Sequence, residues 1–535
     1  MKTEVPTSTN PLPTKAPVYF VSLGCPKNLV DSQVMLGMLT KDRYSIVETP
    51  EEAEVVIVNT CSFIEASKEE SIETILEMAD LKETAKCKVL VASGCLPQRY
   101  HKQLEAEMPE VDLFIGTGQY HRITELLDAH GKARELGAPL PKRSYIDQPA
   151  FIHTENDPRM HTGPIHSAFL KLSEGCNRRC AFCIIPTLRG DVRSRTVESL
   201  VAEAKGLAER GVRELNLVAQ DLTHYGLDFK YTSPEAGLKP AKLETLLTEL
   251  VKIEDVEWIR LHYVYPDQFS DELIEIMARE PKIVKYLDMP IQHTNDKVLR
   301  SMNRRLTKAR LFGLIEKLRA KIPDLVFRTS VIVGFPGETE EEFEELCRDI
   351  EGLALDHVGV FRFSKEEGTK AGEMGDQVHA ATKRRRSKKL TEILQRQSNT
   401  RNEKYVGRKT VILLEGSSEE SELLLQGRMP TQAAEIDGRV LVNDVSYLGF
   451  EAEDLRPGDF IEVEIVEAMP HDLVGKALRI VKKGFTASDA AAATGLRTEI
   501  PVERPDAREA STRPDAREAV IPRLAPVPLG HSMTH

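Results

Sequence analysis

The sequence predicts an α/β chain of three folded units: an N-terminal parallel α/β domain, a partial (β/α)6 barrel and a C-terminal small five-stranded β-barrel. Three observations carry this. Short apolar runs alternate with helix-like mixtures twice, over residues 17–136 and 167–381, and strands feeding crossover helices pack into parallel sheets. Past residue 404 the helical pattern stops, and short β runs with turn signals take over. At 535 residues the chain is also too long for one core, since a domain takes roughly 100 to 200 residues.

Taken in order, residues 1–16 ("MKTEVPTSTNPLPTKA") are polar and proline-rich, without the apolar core of a secretion signal, and are expected to be disordered. In 17–136, strands are expected at "VYFVSLG", "VVIVNT", "KVLVASG" and "DLFIGTG". The stretch "GAPLPKRSYIDQPAF" opens a linker expected over 137–166. In 167–381, strands are expected at "AFLKLS", "LNLVAQD", "WIRLHYV", "YLDMPI", "FRTSVIVG" and "HVGVFRF". Six units suit a partial barrel, whose functional residues gather at the strand carboxyl ends.

A basic helical connector is expected over 382–404. Beyond it "KTVILL", "RVLVND", "DFIEVEIVEA" and "KALRIV", with turns such as "IDGR" and "RPGD", make 405–483 a small barrel candidate. The tail, 484–535, is rich in Ala, Pro, Arg and Glu and holds "RPDAREA" twice. Two copies are too few for a solenoid, and the composition favours disorder.

The formal net charge of −12 argues against generic nucleic-acid binding, so any such contact needs a local patch. No stretch approaches the roughly 20 apolar residues of a membrane span. A cytoplasmic protein with no membrane partner and reduced thiols is expected. Its eight cysteines therefore need a role other than disulfides.

In "EGCNRRCAFCIIP", Cys176, Cys180 and Cys183 follow the first strand of the second block. A CxxxCxxC loop lets three thiolates wrap three irons of a cubane, leaving the fourth iron open to a ligand. Structural zinc wants four ligands, and no nearby Cys or His completes this set. Ferredoxin-type arrays likewise supply four cysteines per 4Fe-4S cluster.

Cys25, Cys61 and Cys95 lie in "SLGCP", "VNTCS" and "ASGCL", each at the carboxyl end of an expected strand. In a parallel sheet those ends share one edge, so residues distant in sequence converge; singly, each would read as an ordinary buried thiol. Cys87 belongs to the opposite edge and Cys347 to a helix, and both read as packing residues. Asn28 is expected to cap the helix after Cys25, with Asp31 three residues later. In "TSVIVGFPGETEEEF", Gly334 and Gly337 permit a tight turn before a Thr339–Glu342 capping box. Gln220, Asp221, Gln292 and His293 end barrel strands, as cavity-facing groups or as satisfied polar ones, and no general base stands out.

The Cys176–Cys183 loop resembles that of the radical S-adenosylmethionine (SAM) enzymes. The resemblance implies that the open iron chelates SAM and that an electron from the cluster cleaves it to a 5′-deoxyadenosyl radical. Phe182 fills the aromatic position that packs near the adenine in that superfamily, or is simply core. Together with Cys25, Cys61, Cys95 and the terminal barrel, the pattern over about Val18 to Lys483 is similar to the methylthiotransferase family. This implies a second 4Fe-4S cluster on Cys25, Cys61 and Cys95, associated with the sulfur to be inserted, and a C-terminal TRAM domain. Within the family, "SLGCPKNLVDS", "CSFIEASKEESI", "GCLPQRY", "AQDLTHYG" and "LDMPIQHTNDKVLRSMNR" resemble the branch acting on an aspartate of ribosomal protein S-twelve.

The function expected from the resemblance is methylthiolation of the β-carbon of that aspartate, using two 4Fe-4S clusters and SAM, a second SAM giving the methyl group. The implied partners are S-twelve, free or on the small subunit, an external electron donor and a sulfur source. The alternatives are a tRNA adenosine methylthiotransferase with the same clusters and a noncatalytic iron–sulfur electron carrier. Residues 405–483 hold 9 Lys plus Arg against 15 Asp plus Glu. Phosphate contacts need cations, whereas an acidic surface complements a basic ribosomal protein, so tRNA is disfavoured. The run "KRRRSKK" (383–389) reads as a solvated helix face rather than an RNA contact.

Overall fold

A computed structural model of the chain describes residues 15–138, 142–231, 241–418, 421–434, 436–449 and 455–484. The "RPDAREA" tail and residues 1–14, for which disorder is expected, lie outside the described residues.

The first sheet has six strands in the order Ser45–Ile46, Pro17–Ser22, Val55–Thr60, Val89–Gly94, Leu113–Gly116, Ser144–Tyr145, all parallel. Because side chains alternate across a strand, Val18, Phe20, Val55, Ile57 and Val91 enter one core. Tyr19, Val21, Val56, Val58 and Leu90 enter the other. Burial on both faces is why these strands read as continuous apolar runs. The two edge strands escape sequence reading because two residues carry no periodicity.

Ser144–Tyr145 lies inside the expected linker, and more of that segment straps the first domain. The Met160 amide donates to the Gln33 carbonyl at 2.9 Å, and Gln33 Nε2 donates to the Thr162 carbonyl at 3.1 Å. This segment is packed structure, not a free spacer.

The second sheet is an open, all-parallel set of six strands: Ser167–Lys171, Glu214–Val218, Trp258–His262, Ile283–Asp288, Val326–Val333 and His357–Arg362, in chain order. The helix Glu340–Leu353 starts with the expected capping box: the Thr339 amide donates to Glu342 Oε2 at 2.8 Å and the Glu342 amide to Thr339 Oγ1 at 3.3 Å. Cys347 is buried in the core beneath it, and Cys87 in the first domain's core.

The strands Lys409–Ser418, Ser421–Arg428, Val440–Asp444, Leu473–Lys482 and Phe460–Ala468 close into a five-stranded barrel. It seats on the amino-terminal ends of the open-barrel strands. Trp258 meets Phe460 edge to face at 5.3 Å, Tyr286 Oη donates to Asp437 Oδ2 at 2.6 Å, and Arg428 Nη2 donates to Glu214 Oε2 at 2.6 Å. Burial alone would raise the Glu214 pKa, but Arg428 and Arg260 hold it well below the carboxylate range. The closed barrel thus plugs one end of the open barrel, leaving its carboxyl-end mouth to the first domain.

The basic run lies on the helix Ala380–Glu403; Arg384, Arg385 and Lys388 are exposed, as a solvated face requires, and Arg386 alone of its cations is buried. Arg385 donates to Glu340 at 2.7 Å, Arg386 pairs with Glu338 at 3.1 Å, Lys389 pairs with Glu344, and Lys383 Nζ donates to the Phe363 carbonyl at 2.8 Å. Acidic residues at the start of the neighbouring helix, in "ETEEEFEE", absorb charge that sequence alone leaves free.

Candidate active site

Cys25, Cys61 and Cys95 stand at the carboxyl ends of three neighbouring strands, Pro17–Ser22, Val55–Thr60 and Val89–Gly94. Adjacent strands run about 4.8 Å apart, so the topology brings the three together. Gly24 has φ +89°, and a Cβ there would lie 2.8 Å from Cys61 Cβ; only glycine allows this approach. Gly24→Ala is expected to destabilise the protein by more than about 1 kcal/mol and to lower iron per chain after reconstitution, checked by thermal denaturation and iron assay.

Pro26 opens the helix Pro26–Lys41, with Cys25 as its N-cap residue, in keeping with the preference of proline for the first helical position. Asn28 is therefore inside the helix and does not cap it; its Nδ2 donates to the Leu23 carbonyl at 2.7 Å. Asp31 is buried and faces the second domain.

Cys176, Cys180 and Cys183 lie in the loop between the short strand Ser173–Glu174 and the helix Ile185–Arg189. The Arg178 amide donates to Cys176 Sγ at 3.4 Å, and the Cys183 amide to the Cys180 carbonyl at 3.1 Å. Arg178 donates to Asp221 Oδ2 at 2.6 Å and stacks on Tyr265, 3.8 Å from the ring centroid. Arg304 lies 4.1 Å from the same centroid. Half-buried Phe182 packs against a group that includes Met302, Ile332, Phe335 and Phe363.

Arg189, on the helix that follows Cys183, reaches across the domain interface to Cys95. Its guanidinium donates to Asp31 Oδ2 at 2.6 Å, Glu174 Oε2 at 2.9 Å, Asn28 Oδ1 at 3.0 Å and Cys95 Sγ at 3.5 Å. Lys171, fully buried, pairs with Asp31 and with Glu174 at 2.9 Å, and Gln220 Nε2 donates to Glu174 Oε1 at 2.6 Å. Burial raises the Glu174 pKa, and Arg189 and Lys171 more than reverse it. A second clasp joins the domains where Arg99 meets Glu366 at 2.9 Å and Lys68 meets it at 3.2 Å.

Burial pushes the Cys95 and Cys183 thiols up to about 12 and Cys176 up to about 11, and raises Cys61 as well. Such thiols stay protonated at neutral pH and inert as nucleophiles, unless a strongly positive centre takes the proton's place. Among the described residues no three Cys, His, Asp or Glu side chains close on a single ion. An all-thiolate donor set is the chemistry that iron–sulfur clusters use.

Asp221 and Gln220 are bound to Arg178 and Glu174 as above. Gln292 bridges strands through its backbone, with φ +70°. His293 is fully buried; its Nδ1 accepts from the Asn295 amide at 3.0 Å, while its Nε2 makes no hydrogen bond and faces Glu338 Oε1 at 3.6 Å, so it is only half satisfied. Sequence reasoning missed Asp31, Lys171, Glu174 and Arg189. A lysine inside the apolar strand "AFLKLS" was the available signal, since a cation there must be paired.

Residues 17–116 match the family model described as Uncharacterized protein family UPF0004, residues 170–350 the Radical SAM superfamily and residues 406–478 the TRAM domain. The protein named Ribosomal protein uS12 methylthiotransferase RimO from Geobacter sulfurreducens is 47% identical over 464 residues, covering 87% of this chain and 99% of its own. The chain belongs to that methylthiotransferase family. A protein of the same name from Myxococcus xanthus is 48% identical over 466 residues, 87% of this chain and 92% of its own. Among solved structures, the radical S-adenosylmethionine methyltransferase TsrM from Kitasatospora setae, with tryptophan and a SAM analogue bound, is 15% identical, covers 65% of this chain and 73% of its own, and has TM-score 0.48. The chain is accordingly a radical-SAM methylthiotransferase of α/β fold, dependent on an iron–sulfur cluster and SAM. No helix among the described residues is long and apolar enough to cross a membrane.

Proposed function

We propose that this enzyme methylthiolates the β-carbon of an aspartate in ribosomal protein uS12. The observation that carries the reading is the reach of Arg189, on the helix after the Cys176–Cys183 loop, across the domain interface to Cys95 Sγ. Cys176, Cys180 and Cys183 would hold the cluster that binds SAM, and Cys25, Cys61 and Cys95 a second 4Fe-4S cluster. When bound, the first supplies the electron that cleaves SAM and the second is associated with the sulfur to be inserted. The chain's part is to fix both donor sets on the ends of two parallel sheets. Arg189 and Lys171 lock the interface between them, and Phe182 would line the adenine side.

We assign residues 17–136 to the second-cluster domain, 167–381 to the SAM barrel and 405–483 to the TRAM domain. An external electron donor, a sulfur source and a cytoplasmic setting complete the reading. A protein substrate is favoured over tRNA because the TRAM segment is acidic and much of the one basic run is spent on Glu338, Glu340 and Glu344.

Reconstituted enzyme is expected to hold about eight irons per chain, as two cubane clusters require. Offered uS12 and tRNA with SAM, sulfide and reductant, it is expected to add a methylthio group to the protein alone, read by mass spectrometry. Modified tRNA with untouched uS12 would reverse the substrate assignment.

A further inference from the structure

We propose that Lys27 is the specificity-determining cation that receives the carboxylate of the substrate aspartate. This rests on the aspartate reading above. Lys27 is half-buried in the first turn of the helix that follows Cys25, and its ammonium lies 4.5 Å from the centroid of the Tyr263 ring. Tyr263 comes directly after the strand Trp258–His262, at the carboxyl-end mouth of the open barrel. The ammonium therefore stands between that mouth and the Cys25, Cys61 and Cys95 thiols.

What it lacks is an acid. Among the described residues no carboxylate lies within ion-pair distance of Lys27 Nζ. Glu174, nearby, is taken by Lys171, Arg189 and Gln220, and Asp31 by Lys171 and Arg189. Four other cations of this interface pair with carboxylates: Arg189 with Asp31 and Glu174, Lys171 with the same two, and Arg99 and Lys68 with Glu366. An ammonium drawn partly out of water is costly unless an anion compensates it; the Cys25 sulfur, two residues away, is the group that most favours its charge, and the Tyr263 face adds a partial contribution on the barrel side.

The chemistry supplies a carboxylate for the barrel side of this ammonium. The β-carbon of aspartate is bonded directly to its carboxyl carbon, so a cation that fixes the carboxylate also fixes the carbon to be functionalised. Lys27 is a neighbour of the triad assigned to sulfur, not of the SAM triad. A carboxylate held there would keep the β-carbon close to the sulfur side while its hydrogen faces the barrel.

The test uses the reconstituted full-length enzyme, a synthetic uS12 peptide carrying the target aspartate, and the same peptide with asparagine in its place. Wild type is expected to modify the aspartate peptide and to bind the asparagine peptide, measured as a competitive inhibitor, at least about 10-fold more weakly. In Lys27→Gln with unchanged iron content, KM for the aspartate peptide is expected to rise roughly 10- to 100-fold, and the preference over asparagine to vanish. Lys27→Arg is expected to restore much of it. Equal binding of the two peptides by wild type overturns the assignment without any variant. Unchanged KM and preference in Lys27→Gln also overturn it while leaving the aspartate reading intact. Failure of wild type to modify the peptide or intact uS12 overturns both.

Discussion

Alanine at Cys176, Cys180 and Cys183 together is expected to abolish 5′-deoxyadenosine formation and to leave about half of the reconstituted iron, one cubane of two. Alanine at Cys25, Cys61 and Cys95 is expected to remove the other half, to spare SAM cleavage and to stop thiolation. The asymmetry follows from placement. The first triad is one loop at the barrel mouth, built wholly within the second domain; the second triad is built from three strand ends of the first domain. Cys95 and Cys176 are buried, and burial raises them and Cys183, which leaves these thiols little reactivity without metal. Deoxyadenosine by chromatography, iron by colorimetric assay and product by mass spectrometry read the three outcomes. Normal methylthiolation by the Cys25/Cys61/Cys95 variant would sink the division of roles.

Arg189→Leu is expected to cost about 3–5 kcal/mol, the penalty for stranding buried charge when one partner of an ion-pair network is removed. Asp31 and Glu174 are 3% exposed, and two cations, Arg189 and Lys171, balance them. Without Arg189 two carboxylates share one lysine and Cys95 loses its donor. Denaturant unfolding of the apo-protein checks the loss. Lys88→Ala serves as control: its pair with Glu54 is exposed, and such pairs contribute about 0–1 kcal/mol. If both variants unfold alike, the interface does not depend on this network.

Much of the architecture was legible because its signals are local. Alternation of apolar runs with helical patterns located the six strands of the open barrel and the four main strands of the first sheet. The strand Ser421–Arg428 was implied by a five-strand count without being located. Two-residue edge strands carry no pattern, so Ser45–Ile46 and Ser144–Tyr145 were invisible, and with the second went the packed character of its segment. The Asn28 cap failed for a local reason: Pro26 starts the helix three residues earlier than an Asn28 cap would allow.

By itself the sequence determined the cysteines and the edge on which they gather, because parallel strands put their carboxyl ends on one side and a CxxxCxxC loop needs no distant residue to present three thiols. Tertiary structure alone decided what lies between the triads. Lys171 and Asp31 are 140 positions apart, and Arg189 and Asp31 are 158 apart. No periodicity or spacing links charges so distant, and a buried charge chooses its partner by the geometry of desolvation, which exists only once the domains have docked. The same reason covers the basic run spent on its neighbouring helix, the closed barrel anchored by Arg428 on Glu214, and the lone ammonium of Lys27 facing Tyr263 across the interface.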